Sequence, residues 1–231
     1  MTSRKQRVRH HYETQPTPDI MSGGVRAFNG YRLPRSYDLL LSSLQKATRD
    51  WRDWDVLDAG CGSGDTGSFL ATHNRVTGMD FSHQMARYAH KHYGQVSLGD
   101  LERMPFADAS FDGVLASGVW QCLAPDTPFL NEVARVLRPG GQAVFGWMLN
   151  REFVLYWRRG VVLRAAEPIQ LTLLGAAEIP RYLTDAGLQV VNMFPVLFPL
   201  RVFRVKTRVP VLMRPLVAGY TVLCRVQNGS V

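Results

Sequence analysis

The sequence predicts an α/β fold, a parallel sheet covered by helices on both faces, and three observations carry that prediction. Strand-like apolar runs alternate with helix-period segments from residue 35 onward. The runs close on Gly or Asp, where chains in such sheets turn towards the next helix. With 231 residues, 46% hydrophobic and 20% charged, the chain is long enough for one sizeable core, and no apolar run approaches the ~18–20 residues that cross a bilayer.

Taken in order, "RSYDLLLSSLQKATRD" sets Tyr37, Leu40, Leu41 and Leu44 on one helical face ahead of the first strand, Asp55–Gly60. A helix opens in the glycine run that follows and reaches about His73. The strand "RVTGMD" ends at Asp80, and the helix "SHQMARYAHKHYG" starts behind Ser82, a natural cap. A short strand "VSLGD" ends at Asp100. After the loop "LERMPFADAS" come the strand "FDGVLASG", the helix "PFLNEVARVL" stopped by "RPGG", and the strand "QAVFGWML". Ligands of such sheets bind outside the carboxyl ends of the strands. Residues 35–231 read as a single domain, preceded by a basic tail and lid segment over 1–34.

The net charge of +8 is concentrated at the ends. Arg4, Lys5, Arg7 and Arg9 stand in the first twelve residues without an acid, and Arg201, Arg204, Lys206, Arg208, Arg214 and Arg225 stand in 195–231 without one. The basic start reads as a solvated, poorly ordered tail, and two separate ends are not a contiguous nucleic-acid surface. The start lacks an apolar stretch of signal-peptide length. Cys61, Cys122 and Cys224 are widely spaced, with no CxxC pair to suggest metal or redox chemistry. They read as reduced thiols in a cytoplasm, and no metal site is expected.

The most informative stretch is "VLDAGCGSGDTG", Val56–Gly67, with four glycines in its last eight residues. It occupies the first strand-to-helix turn, where glycine lets the backbone approach a ligand and adopt positive φ. Gly62–Gly67 fits the dinucleotide pattern GxGxxG, and Asp80 follows at a distance suited to a ribose carboxylate. Asp58 argues against a dinucleotide. A carboxylate two residues before the first glycine would face a pyrophosphate, at a cost of about 4 kcal/mol per pair of like charges ~4 Å apart at an effective dielectric near 20. Asp65 adds to that cost. A ligand bearing an ammonium and a sulfonium reverses the sign.

The chain resembles the class I S-adenosylmethionine-dependent methyltransferases, in their small-molecule branch, over roughly residues 35–190. The resemblance rests on four ordered motifs: "VLDAGCGSG" (56–64), "VTGMDFSHQM" (76–85), "GDLERMPFADASFDGV" (99–114) and "LRPGGQAVF" (137–145). It implies a Rossmann-like, seven-stranded sheet ordered 3-2-1-4-5-7-6 with an antiparallel last strand; "LQVVNMFPV" and "YTVLCRVQ" are natural sixth and seventh strands. It also implies S-adenosyl-L-methionine as cofactor and S-adenosyl-L-homocysteine as product. By position, Asp58, Gly60, Cys61, Gly62 and Gly64 would line the methionine end, and Arg32, in the lid segment outside the motifs, could salt-bridge its carboxylate. Asp80 would accept the ribose hydroxyls, and Phe81 and Met85 would flank the adenine. Asp100 and the Leu101 backbone would meet its exocyclic amine, while Ser117 and Gly118 would form the floor beneath the sulfonium.

Methyl transfer is an in-line displacement on an activated carbon, so alignment and exclusion of water dominate, and a base is needed only where the acceptor must lose a proton. Many members of the resembled family carry a histidine pair after the fourth strand; here those positions are Gln121 and Cys122. The remaining base candidates are His11, Tyr12, Tyr31 and Tyr156. An acceptor pocket walled by Trp120, Gln121, Trp147, Tyr156 and Trp157 is expected, covered by insertions at about 150–175 and 194–219. The second of these, apolar and basic, is a cover or a membrane-surface contact. The expected acceptor is a small lipophilic or aromatic metabolite. An NAD(P)-dependent oxidoreductase and a non-catalytic S-adenosylmethionine-binding protein are the alternatives.

Overall fold

The computed structural model describes residues 4–14, 36–149, 151, 172–197 and 217–227. The elements are α1 (Arg4–Thr14), α2 (Ser36–Ala47), β1 (Asp55–Ala59), β2 (Arg75–Asp80), α3 (His83–Ala89), β3 (Gln95–Leu98) and β4 (Phe111–Ser117). They continue with α4 (Phe129–Val136), β5 (Leu137–Leu149), α5 (Ile179–Asp185), β6 (Leu188–Leu197) and β7 (Val217–Val226). The strands form one seven-stranded sheet ordered β3-β2-β1-β4-β5-β7-β6. From β3 to β5 all pairs are parallel, and β7 runs antiparallel to both β5 and β6. This is the order and sense expected from the sequence.

Alternate residues of each strand feed two separate cores. Leu57, Ala59, Val114, Ala116, Ala143 and Phe145 pack on one face with α4 and α5, which contribute Phe129, Val133, Ile179 and Leu183. Val56, Leu115 and Val144 pack on the other with Leu40 and Leu44 of α2. The alternation breaks at a bulge. Phe145 pairs with Val222 and Met148 with Tyr220, so β5 carries one residue more than its partner there, and Trp147 takes φ 54°. The bulge turns Trp147 to the α2 face and sends Met148 to the α4/α5 face.

The amino ends of the strands are tied by charge. Arg75 on β2 donates to Asp55 on β1 at 2.6 Å, and Arg138 on β5 reaches both Asp112 (2.6 Å) and Asp55 (3.1 Å). These groups are partly exposed, so the network contributes modestly. It stands at the opposite end of the sheet from the glycine turn.

Three expectations need correction. The segment after β1 is a turn followed by one 3-10 stretch, Ser68–Thr72, instead of a helix opening in the glycines. Each glycine costs a helix about 1 kcal/mol relative to alanine, and the Gly60 and Cys61 amides are already committed to the Met79 carbonyl at 2.7 and 2.9 Å. The "RPGG" stop is drawn into β5: Phe111 pairs with Leu137 and Gly113 with Gln142, so residues 138–141 bulge between the two rungs. The basic tail is helical from Arg4 to Thr14. It docks beside α3, with Val8 buried at 8% exposure and Glu13 Oε1 accepting from the His83 amide at 3.1 Å.

Of the two expected insertions, 152–171 and 198–216 lie outside the described residues. Residues 194–197 complete β6, 217–219 begin β7, and Arg151 is paired with Glu178 at 2.8 Å. Among the described residues no helix is long and apolar enough to cross a membrane.

Candidate active site

The carboxyl ends of β1, β2 and β4 lie side by side in the sheet, and the chain leaves each of them through a glycine or an aspartate. Gly60 follows β1, Asp80 ends β2 and Gly118 follows β4. The first turn is stapled to the second strand, because the Gly60 and Cys61 amides share the Met79 carbonyl and Asp80 Oδ2 accepts from the Gly62 amide at 2.9 Å. The other oxygen of Asp80 accepts from the Ser82 amide at 2.9 Å, and Ser82 Oγ caps α3 by accepting from Met85 N at 3.3 Å. Asp80 therefore orients the glycine turn and the start of α3 together.

Glycine is required at two kinds of place here. Gly60, at φ +73°, sits against Val119 and Leu101, and a Cβ there would strike the Val119 side chain. Gly62 and Gly118, at φ +54° and +74°, have no atom within 4 Å of where a Cβ would stand. They border open space at the carboxyl edge instead of packing against protein.

Two carboxylates border the same turn. Asp58 and Asp80 are 3% and 6% exposed, and no cation among the described residues forms an ion pair with either. Burial raises Asp58 to about 7, against a hydrogen bond from Tyr93 that favours the charged form, and the nearby Asp80 raises it further. Burial likewise raises Asp80 to about 6, although backbone amides of Ser82, Gly62 and Phe81 favour its ionised form. Two buried acids with no counter-charge among the described residues suit a cationic ligand.

The remaining expected residues divide between the site and the core. Leu101 reaches Gly60, and Asp100 accepts from the Glu102 amide at 3.0 Å, turning the loop back at this edge. Phe81 is half-buried next to Asp80, whereas Met85 is 2% exposed and belongs to the core beneath α3. Ser117 is half-buried at the end of β4. Cys61 is buried, and its thiol is pushed well above its usual range by burial and by Asp58 and Asp80, so it is not a nucleophile. Trp120 and Gln121 lie on a 3-10 turn after β4, and with Met148, Thr172 and Leu174 they line a cavity of about 10 Å³. Trp147 does not join them: the bulge holds it in the core on the other face of the sheet. The side chains of His11, Tyr12, Tyr31, Arg32, Tyr156 and Trp157 lie outside the described residues.

Sequence reasoning missed four contributors. Tyr93 donates to Asp58 Oδ2 at 2.6 Å, a contact across 35 residues that no local pattern signals. Val119 seals Gly60, and Glu13 reaches α3 from the amino-terminal helix. Gly67 could have been found as the last glycine of GxGxxG, since a Cβ there would collide with Asp58 Oδ2 and stand 2.6 Å from Tyr93 Oη.

Residues 57–145 match the family described as a methyltransferase domain, and this span contains Asp58, Asp80, Asp100 and the glycines of the turn. These residues are a methyltransferase domain of the S-adenosylmethionine-dependent kind. The chain is 39% identical to a malonyl-[acyl-carrier protein] O-methyltransferase of Herminiimonas arsenicoxydans over 41% of this chain and 37% of that one. It is 32% identical to a fatty-acid O-methyltransferase of Mycolicibacterium smegmatis over 58% of this chain and 51% of that one. The chain thus spans about half or less of the length of these curated relatives. In fold, it resembles an S-adenosylmethionine-dependent methyltransferase structure from Thermotoga maritima, with a TM-score of 0.62 at 21% identity, covering 83% of this chain and 91% of that chain.

S-Adenosylmethionine fits the residues present. The open space bordered by Gly62 and Gly118 is a cradle that side chains would fill, and the buried acids beside it suit the cofactor, Asp58 its ammonium and Asp80 its ribose hydroxyls.

Proposed function

We propose that the protein transfers the methyl group of S-adenosylmethionine to a small lipophilic acceptor, at an oxygen of a carboxylate. The observation that carries the transfer is the pairing of buried Asp58 and Asp80 with open space at Gly62 and Gly118. In this reading Asp58 and the glycine turn hold the methionine end and Asp80 accepts the ribose hydroxyls. Phe81, Asp100 and Leu101 border the adenine, and Ser117 and Gly118 form the floor under the reacting carbon. When bound, the cofactor supplies a methyl group already activated by the positive sulfur.

The chain's own part is then alignment and exclusion of water. Val119 and Leu101 close the turn at Gly60, and α1 lies beside the first turn of α3. The acceptor would enter from the side of Trp120 and Gln121, where the end of β5 and residues 172–174 meet. A carboxylate acceptor is ionised at neutral pH, so no proton has to be removed before it attacks. The named activities of the two relatives, on fatty acids and on a malonyl thioester, support an acid as acceptor.

Radiolabelled methyl transfer to a medium-chain fatty acid and to the primary alcohol of the same length tests this. Labelled methyl ester from the acid alone is expected. Label on the alcohol alone would overturn the acceptor assignment, and stabilisation by NADH in place of S-adenosylhomocysteine would overturn the cofactor assignment.

A further inference from the structure

The Tyr93 hydroxyl stands between two acceptors. It is 2.6 Å from Asp58 Oδ2 and 3.0 Å from the Gly64 carbonyl oxygen, and both side chains are buried, at 2% exposure for Tyr93 and 3% for Asp58. A phenol has one proton to give. With Asp58 ionised, that proton goes to the carboxylate and the Gly64 carbonyl is left facing oxygen lone pairs. With Asp58 protonated, Asp58 donates to Tyr93 and Tyr93 donates to Gly64, so all three groups are satisfied and the glycine turn is tied to the chain beyond α3. Leaving a buried acceptor unmet is unfavourable, so the protonated arrangement is the tighter one.

The surroundings favour the protonated chain while no cation is present. Asp80 faces Asp58 from β2 and Cys61 faces it from the turn, while Asp65 faces the Tyr93 end of the pair and holds His92 at 3.0 Å. Gly67 packs against both Asp58 and Tyr93, and a side chain there would separate them. Burial holds the Asp58 carboxyl up at about 7, close to neutrality.

We propose that Tyr93 is a positioning residue that works as a proton-coupled latch on the glycine turn, released when the methionyl ammonium of the cofactor arrives beside Asp58. The Asp58 O–H bond breaks and its proton leaves to solvent. The Tyr93 O–H bond stays intact and swings from the Gly64 carbonyl to the new carboxylate. Binding therefore releases a proton, and the turn is tied in the free protein and adjustable in the complex. This rests on the reading of the site as one for S-adenosylmethionine.

Calorimetry on the full chain between about pH 5 and 8, in two buffers of different ionisation heat, tests the latch with two probes. S-Adenosylhomocysteine carries the ammonium. 5′-Methylthioadenosine has the same ribose and adenine, and so the same use of Asp80, but lacks the amino-acid end. The homocysteine compound is expected to bind about tenfold more weakly per pH unit on the acid side of its midpoint, and to release about one proton more than methylthioadenosine. Tyr93→Phe removes a donor to the carboxylate and is expected to move that midpoint to higher pH, leaving the methylthioadenosine curve in place. Lost packing alone would weaken binding equally at every pH. Identical proton release by the two probes on the unmodified protein would overturn the latch, whether or not the variant folds. If neither probe bound at any pH, the cofactor assignment would fall and the latch with it.

Discussion

Asp58 and Asp80 make the free protein's stability depend on pH in the direction opposite to that of paired surface acids. Their carboxyls stand at about 7 and about 6 in the fold, against 3.8 for both in an unfolded chain. The folded state therefore holds more protons than the unfolded state between those values, and their contribution, complete below the unfolded value, is lost as pH rises through 6 to 7. Asp55, Glu132 and Glu178 are shifted down by arginines or a backbone amide, so their contribution is lost only under more acidic conditions and leaves this window clear. The melting temperature without ligand is expected to fall from about pH 5 to pH 8, and Asp58→Asn to flatten the slope; thermal melts across that range check it. At the same scale, Asp80→Ala is expected to weaken S-adenosylhomocysteine binding by about 1.5–3 kcal/mol, the value of charge-assisted hydrogen bonds to the ribose, as read by calorimetry. Both acids were legible in the sequence because each ends a strand or precedes a glycine. The partner of Asp58 was not, since Tyr93 meets it only once β1 and the chain after α3 are folded together.

Among the elements, the strands were legible and their irregularities were not. Apolar runs closed by Gly or Asp marked β1, β2, β3 and β4, but the bulge at Trp147 in β5 depends on the register with β7, whose residues lie far along the chain. Nearness to a strand end suggested Trp147 as a wall shared with Trp120, but the bulge places Trp147 in the core on the other face. α1 was missed for another reason: its sequence, RKQRVRHHYET, offers almost no apolar face, and the docking is made by Val8 and Glu13. Removing residues 1–14 is therefore expected to cost about 1–3 kcal/mol in a denaturant melt, from one buried aliphatic side chain and one lost cap. A freely solvated tail would cost nothing. α4 acts on the site at a distance. Arg135 donates to the Met104 and Phe106 carbonyls at 3.2 and 2.8 Å and pairs with Glu132, which accepts from the Met104 amide at 2.6 Å. Arg135→Ala is expected to cost about 1–3 kcal/mol of stability and to raise hydrogen exchange across residues 102–108, the continuation of the Asp100 loop.

For the molecule as a whole, the three cysteines report on global opening. Cys61, Cys122 and Cys224 are all buried, and burial pushes the Cys61 and Cys224 thiols above their usual range. Reaction with an aromatic disulfide reagent is expected to be far slower in the native protein than in denaturant, and to accelerate only where the fold melts. The antiparallel β7 has a consequence of another kind. Because β7 returns beside β6, the two ends of residues 198–216 are fixed on one ladder rung, Leu197 opposite Val217, at the same edge where β5 ends at Leu149. A segment pinned at adjacent points can be lengthened cheaply, a doubling of its length costing only about 0.6 kcal/mol of closure entropy. The connection can thus change in length while the sheet beneath keeps its sequence, and inserting a few glycines and serines between Leu197 and Val217 should leave the melting temperature almost unchanged.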